Sequence, residues 1–97
     1  MPVTHVVLIT WADHADAPAR HAVRQAIRSL RDRVPGVDDL QEGESTSPEG
    51  LESGFEYGFV ITFPDAAARD AYLPHPEHLA VAGEIQRSAA KVLVFDI

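Results

Sequence analysis

The stretch Phe55-Glu56-Tyr57-Gly58-Phe59-Val60-Ile61-Thr62-Phe63, residues 55–63, decides the fold. Successive side chains of an extended chain point to opposite faces, so Phe55, Tyr57, Phe59, Ile61 and Phe63 share one side. Glu56, Gly58, Val60 and Thr62 share the other. Alternation this sharp, carried by aromatic and β-branched residues, predicts a strand with one face turned to a core.

Upstream of it, Ser45 to Gly54 is a polar loop, and Val37 to Glu44 reads as a weak strand polar enough for a sheet edge. Before that, Asp16 is placed to cap a helix with Pro18 in its first turn. Val23, Ala26, Ile27, Leu30 and Val34 then recur at helical spacing, and Pro35-Gly36 ends the run. Arg20, Arg24, Arg28 and Arg31 lie mostly off that stripe and read as a solvated face. The chain opens on a strand, Val3 to Trp11, apolar on both sides.

Downstream, Pro64-Asp65 opens a short helix over Ala66 to Tyr72, and Pro74 breaks it. Pro76 begins a second helical piece in which His78, Ala82, Ile85 and Ala89 fall on one stripe, turning His78 inward. Lys91 to Ile97 is the last strand, with Val92, Val94 and Asp96 on one side and Leu93, Phe95 and Ile97 on the other.

The element order β-α-β-β-α-β predicts a ferredoxin-like α+β sandwich with an antiparallel four-stranded sheet. Helices on one side of such a sheet leave the other uncovered, yet Val6, Leu8, Val60, Leu93 and Phe95 fall there. An apolar face of that size predicts a homodimer in which a second copy supplies the cover.

The 97 residues suit a single domain, residues 1–97, since two cores would each be too small. Eight basic against 15 acidic side chains give a net charge of −7, which argues against nucleic-acid binding. Seven of the eight basic residues are arginine, and alanine is abundant, as in chains from GC-rich bacterial genomes. No apolar run approaches the ~20 residues of a membrane span, and no signal peptide is evident, so a cytoplasmic protein is expected. With no cysteine, thiol catalysis and cysteine-bound metal are excluded.

Polar residues on an otherwise apolar face carry the functional reading. Strand parity sets His5, Tyr57 and Asp96 among Val7, Ile9, Phe59, Ile61, Val92 and Val94, and the helices turn Tyr72 and His78 toward the same layer. A carboxylate beside an imidazole fixes its tautomer and strengthens it as a base. A phenol can donate to an oxygen gaining charge in an enolate-like transition state. Tyr57 reads as packing, with its hydroxyl reaching a neighbour or the pocket, and His75 as a helix cap; His14 and His21 read as surface residues. His75, Glu77 and His78 could be ligands, but the sequence places no further donor beside them, so no metal is expected.

Thr4-His5-Val6-Val7-Leu8, Gly54 to Phe63, Tyr72-Leu73-Pro74-His75-Pro76-Glu77-His78 and Val92-Leu93-Val94-Phe95-Asp96 together resemble the stress-responsive A/B barrel (Dabb) family over essentially the whole chain. The resemblance implies a protomer that pairs into a dimeric α+β barrel, and it implies cofactor-independent, polyketide cyclase-like chemistry. By that likeness His78 would be the base, oriented by Asp96; Tyr72 would position or polarise a carbonyl. His5 would line the pocket, and Tyr57 stands where many relatives carry histidine. Val23, Ile27 and Ala89 replace larger aromatic side chains of the pocket wall. The expected ligand is a small hydrophobic or polyketide-like molecule bound by His5, Tyr57, Val7, Ile9, Phe59, Ile61 and Val94. The alternative reading is a non-catalytic stress-response or small-ligand-binding dimer in which these polar groups satisfy one another.

Overall fold

The computed structural model describes residues 1–97, with the strand order β2-β3-β1-β4 and every pairing antiparallel. β1 (Val3–Trp11), apolar on both sides, lies inside the sheet, flanked by β3 (Tyr57–Phe63) and β4 (Ala89–Asp96). β2 (Asp39–Glu44), the most polar strand, takes the far edge. Three helices lie on one face: α1 (Ala17–Arg33), α2 (Ala66–Tyr72) and α3 (Pro76–Ser88). None is long and apolar enough to cross a membrane. The expected sandwich is present.

Each helix start is built by a side chain that accepts an otherwise unpaired N–H. Asp16 Oδ1 accepts from Ala19 N at 2.9 Å and Asp65 Oδ1 from Ala68 N at 2.8 Å. His75 Nδ1 accepts from Glu77 N at 3.1 Å, which makes His75 a cap, its ring engaged by the helix start. Gly36, just past α1, adopts φ 91°, a left-handed conformation open to glycine at little cost.

The core lies between helices and sheet. Val23, Ile27 and Leu30 of α1 pack with Val34 onto Ile9, Ile61, Phe59 and Phe63, each side chain worth ~1.5–3 kcal/mol once buried. The arginine face is less solvated than the sequence suggests. Glu42 on β2 is clamped by Arg24 Nε at 3.0 Å and Arg28 Nη2 at 2.6 Å, so these side chains pin the edge strand to α1.

Strand boundaries differ modestly from expectation. β2 begins at Asp39, two residues after Val37, and β3 at Tyr57, with Phe55 buried just outside it. β4 starts early, at Ala89, where α3 runs directly into the strand. In α3 the inward residues are Val81 and Ile85, so the buried stripe is rotated from the expected one and His78 sits at its rim, half-buried.

The outer sheet face has no cover within the chain. Val6, Leu8 and Val60 are half-buried, and Leu93 and Phe95 are exposed.

Candidate functional site

A cavity of about 250 Å³ opens between α3 and the inner face of β4. Its body is apolar, walled by Val7, Leu30, Phe59, Val81, Ile85, Val92 and Val94, while His5, Tyr72 and His78 bring polar groups to it. Val92 and Val94 remain 42% and 58% exposed, because the helical layer stops short of this edge strand, and that gap is the way in.

The three polar groups belong to different elements. β1 supplies His5, the end of α2 supplies Tyr72, and the first turn of α3 supplies His78. The Tyr72 and His78 rings lie 4.3 Å apart between centroids, and His5 meets Tyr72 edge-on at 5.9 Å. Phe63 backs both His5 and Tyr72.

His78 Nδ1–H donates to the Leu73 carbonyl at 2.8 Å across the short α2–α3 connection. That bond sets the tautomer and leaves Nε2 with a free lone pair. Burial is the largest influence on this imidazole and pushes its pKa below the usual value; the Leu73 carbonyl opposes the shift, and His5 and His75 add to it. His78 is therefore neutral and basic near pH 7. Burial drives the Tyr72 phenol far upward, keeping its proton in place. Tyr72 is 1% exposed, burial is the only influence on its phenol, and its ring borders the cavity, so the hydroxyl can donate into it. A neutral base and a fixed phenolic donor thus share one apolar hollow.

Asp96 does not orient His78. The register pairs Asp96 with His5 across β4 and β1, and His5 Nδ1 donates to Asp96 Oδ1 at 2.6 Å. Arg69 Nη1 donates to the other oxygen at 3.0 Å. Burial alone would raise this carboxyl, but the bonds from His5 and Arg69 prevail and hold it below the ordinary carboxylate range. The position-78 imidazole takes its orientation from a backbone carbonyl instead.

Tyr57 is absent from this cavity. It pairs with Ile9 in the sheet, while His5 pairs with Ile61 farther along the same ladder, and the Tyr57 ring lies 5.3 Å from Trp11 and 5.3 Å beneath the Arg24 guanidinium. Its hydroxyl is buried and turned toward the Glu42 carboxylate; burial first, then that carboxylate, drives its pKa far upward. Ile9 and Ile61 do not line the cavity either, since both are fully enclosed in the core. His5, Val7, Phe59 and Val94 line the cavity.

Arg69 and the Leu73 carbonyl were not anticipated. Arg69 lies three residues before Tyr72 on a helix, a spacing that puts both on one face and could have signalled it. A backbone carbonyl has no side-chain signature, so Leu73 left none.

The sequence pattern of the Stress responsive A/B Barrel Domain, Dabb, matches residues 3–97. Olivetolic acid cyclase from Cannabis sativa is 24% identical over 97 residues, covering 99% of this chain and 95% of that protein. A dimeric ferredoxin-like protein of unknown function from Jannaschia sp. CCS1 superposes with a TM-score of 0.88 at 26% identity, covering 100% of this chain and 98% of that one. Hydroxynitrile lyase from Passiflora edulis has a TM-score of 0.92 at 19% identity, with 99% and 91% coverage, a likeness of fold.

Proposed function

The chain belongs to the stress-responsive A/B barrel family, and on that footing we propose that its cavity is the active site of a cofactor-independent enzyme that makes or breaks a carbon–carbon bond beside a carbonyl. The observation that carries this reading is the neutral His78, its Nδ1–H tied to Leu73 and its ring 4.3 Å from that of Tyr72. In the forward sense Nε2 takes a proton from a methylene between two carbonyls of a β-keto substrate. The electron pair moves onto oxygen, where the Tyr72 hydroxyl donates to the enolate. The enolate carbon then adds to a second carbonyl of the same molecule, and the resulting alkoxide recovers the proton from His78. Positioned proton transfer of this kind is worth ~10²–10⁴ in rate.

The same reading makes the protein a homodimer closed through the outer sheet face. The solved neighbour described as dimeric supports it, as does the uncovered row of Val6, Leu8, Leu93 and Phe95.

The experiment is turnover of linear β-keto thioesters followed by mass spectrometry, with His78→Ala beside the parent chain. Loss of turnover by ~10²–10⁴ in a folded variant is the expected result. Undiminished turnover removes the acid–base assignment. No cyclised product from either chain leaves the non-catalytic, ligand-binding dimer as the better account.

Cyanohydrin cleavage is a second reading, favoured by the cavity's size. About 250 Å³ is below the ~300–1,000 Å³ usual for larger ligands and suits a compact molecule. There Nε2 would take the hydroxyl proton, the bond to the nitrile carbon would break, and cyanide would leave as the protonated acid. Release of aldehyde from an aromatic cyanohydrin tests it directly.

A further inference from the structure

Asp96 lies on an edge strand, and its side chain is a quarter exposed. A carboxylate so placed has rotamers that reach water, and nothing in β4 itself holds it on His5. The holding contact comes from a different element. Arg69 reaches from α2 to Asp96 Oδ2 at 3.0 Å, while Oδ1 takes the His5 Nδ1–H at 2.6 Å. Each oxygen then has its own donor, and the carboxylate plane is set by two bonds at once. Arg69 is itself steadied by donating Nε to Asp70 Oδ1 at 3.0 Å. The same turn of α2 carries Tyr72 into the cavity, so one short helix positions both the phenol and the cation behind the carboxylate.

We propose that Arg69 is a positioning residue of the site: by anchoring Asp96 it fixes the His5 imidazole as the Nδ1–H tautomer and leaves Nε2 as the ring's one lone pair toward the ligand. A carboxylate between a guanidinium and an imidazole is a charge-assisted pair on both sides, stronger than either contact with water. Because Arg69 carries a permanent positive charge, it also balances the carboxylate, so the three groups together add no net charge to the hollow beyond that of His5. The cavity consequently contains two imidazoles oriented by different means, His78 by a backbone carbonyl and His5 by an anchored side chain. The catalytic meaning of this arrangement rests on the function proposed above; the anchoring itself does not.

The test reads His5 without a substrate. In ¹⁵N-labelled protein the imidazole nitrogens report the tautomer, and exchange of the His5 Nδ1–H with water reports how firmly it is held. The parent chain is expected to show the Nδ1–H form with a protected proton. Arg69→Met keeps the aliphatic stem and removes the charge; it should speed that exchange roughly tenfold or more, as losing a charge-assisted bond implies, and mix the tautomers. Arg69→Lys, retaining a cation, should restore most of the protection. A purely structural role for Arg69 would lower the melting temperature of Arg69→Met and leave the tautomer and the exchange rate as they were, which would overturn the proposal. If Arg69→Met does not fold, Arg69→Gln is judged by the same two readouts. Failure of every turnover assay leaves this result standing, and an unaltered His5 signal refutes Arg69 while leaving the role of His78 intact.

Discussion

His5 and Asp96 stand directly opposite each other on β1 and β4, and the 2.6 Å bond between Nδ1 and Oδ1 links the first strand of the chain to the last. The ladder around them is closed by Thr4 and Ile97, which exchange both backbone bonds at 2.8 Å. The site's only side-chain acid–base pair is therefore built into the sheet, while its free base sits on a helix that rests against the sheet.

The Asp96 carboxyl is held below its ordinary value of 3.8 once the bonds from His5 and Arg69 outweigh burial. The unfolded chain then binds the proton more readily than the folded one, so the contribution is fully present above the unfolded value. It is lost as pH falls through the lowered folded value. Melting temperature should fall more steeply below pH 3.8 in the parent chain than in Asp96→Asn, with the variant the less stable of the two at pH 7. Circular-dichroism melts across the acid range check both statements.

For His78 the shift is downward from 6.5, with burial the leading cause. Folding favours the neutral ring, so stability from this group is present above 6.5 and declines as pH drops through the folded value. The ring-proton titration of His78 by NMR should have its midpoint below 6.5 in the folded chain and return to that value in denaturant. The acid limb of any turnover profile should follow the lower midpoint.

The fold was legible because the strands advertise their parity: Phe55 to Phe63 and Val3 to Trp11 alternate or fill both faces, and three caps announce three helix starts. The site was legible only in part. Parity correctly put His5 and Asp96 on one face, but it cannot supply register, and register is what makes them partners. Tyr57 shares that face with His5 yet lies opposite Ile9, at the other end of the ladder, so a shared face did not mean a shared pocket. The link between Arg69 and Asp96 spans 27 residues, and no local pattern encodes it.

Tyr72→Phe removes one hydroxyl from a ring that is already 1% exposed and changes no packing surface. A phenol kept protonated by burial donates to charge that develops only in the transition state. The expected effect is a fall in kcat of ~10²–10³ with little change in KM, the usual loss for one oxyanion donor. Steady-state kinetics on a turned-over substrate, alongside an unchanged melting curve, provides the check.

Glu42 is the carboxylate most enclosed by cations, its side chain 8% exposed between Arg24 and Arg28. Burial alone would raise its pKa, but the hydrogen bonds, led by Arg24, lower it overall. Glu42→Leu leaves Arg28 unpaired and Arg24 with only Glu44, at 3.9 Å, although their own partial exposure lets water recover part of the loss. A destabilisation of about 1–3 kcal/mol is expected, below that of a fully buried pair. Urea unfolding should show it as a lower midpoint with an unchanged slope.

Phe95 offers the sharpest probe of the outer face. It is 60% exposed, pairs with Val6 in the ladder and points away from the cavity, as Leu93 does opposite Leu8. In a single chain, aspartate at position 95 would be solvated and nearly neutral for folding. Across a closed apolar interface the same charge would lose its water without gaining a partner, a cost of several kcal/mol per copy. Phe95→Asp should therefore keep the parent's circular dichroism and sediment at the mass of one chain, 10.6 kDa, where the parent sediments at twice that. A parent chain that sediments as a monomer would remove the homodimer from the proposal. A Phe95→Asp variant that stays dimeric would place the interface elsewhere than on this row of side chains.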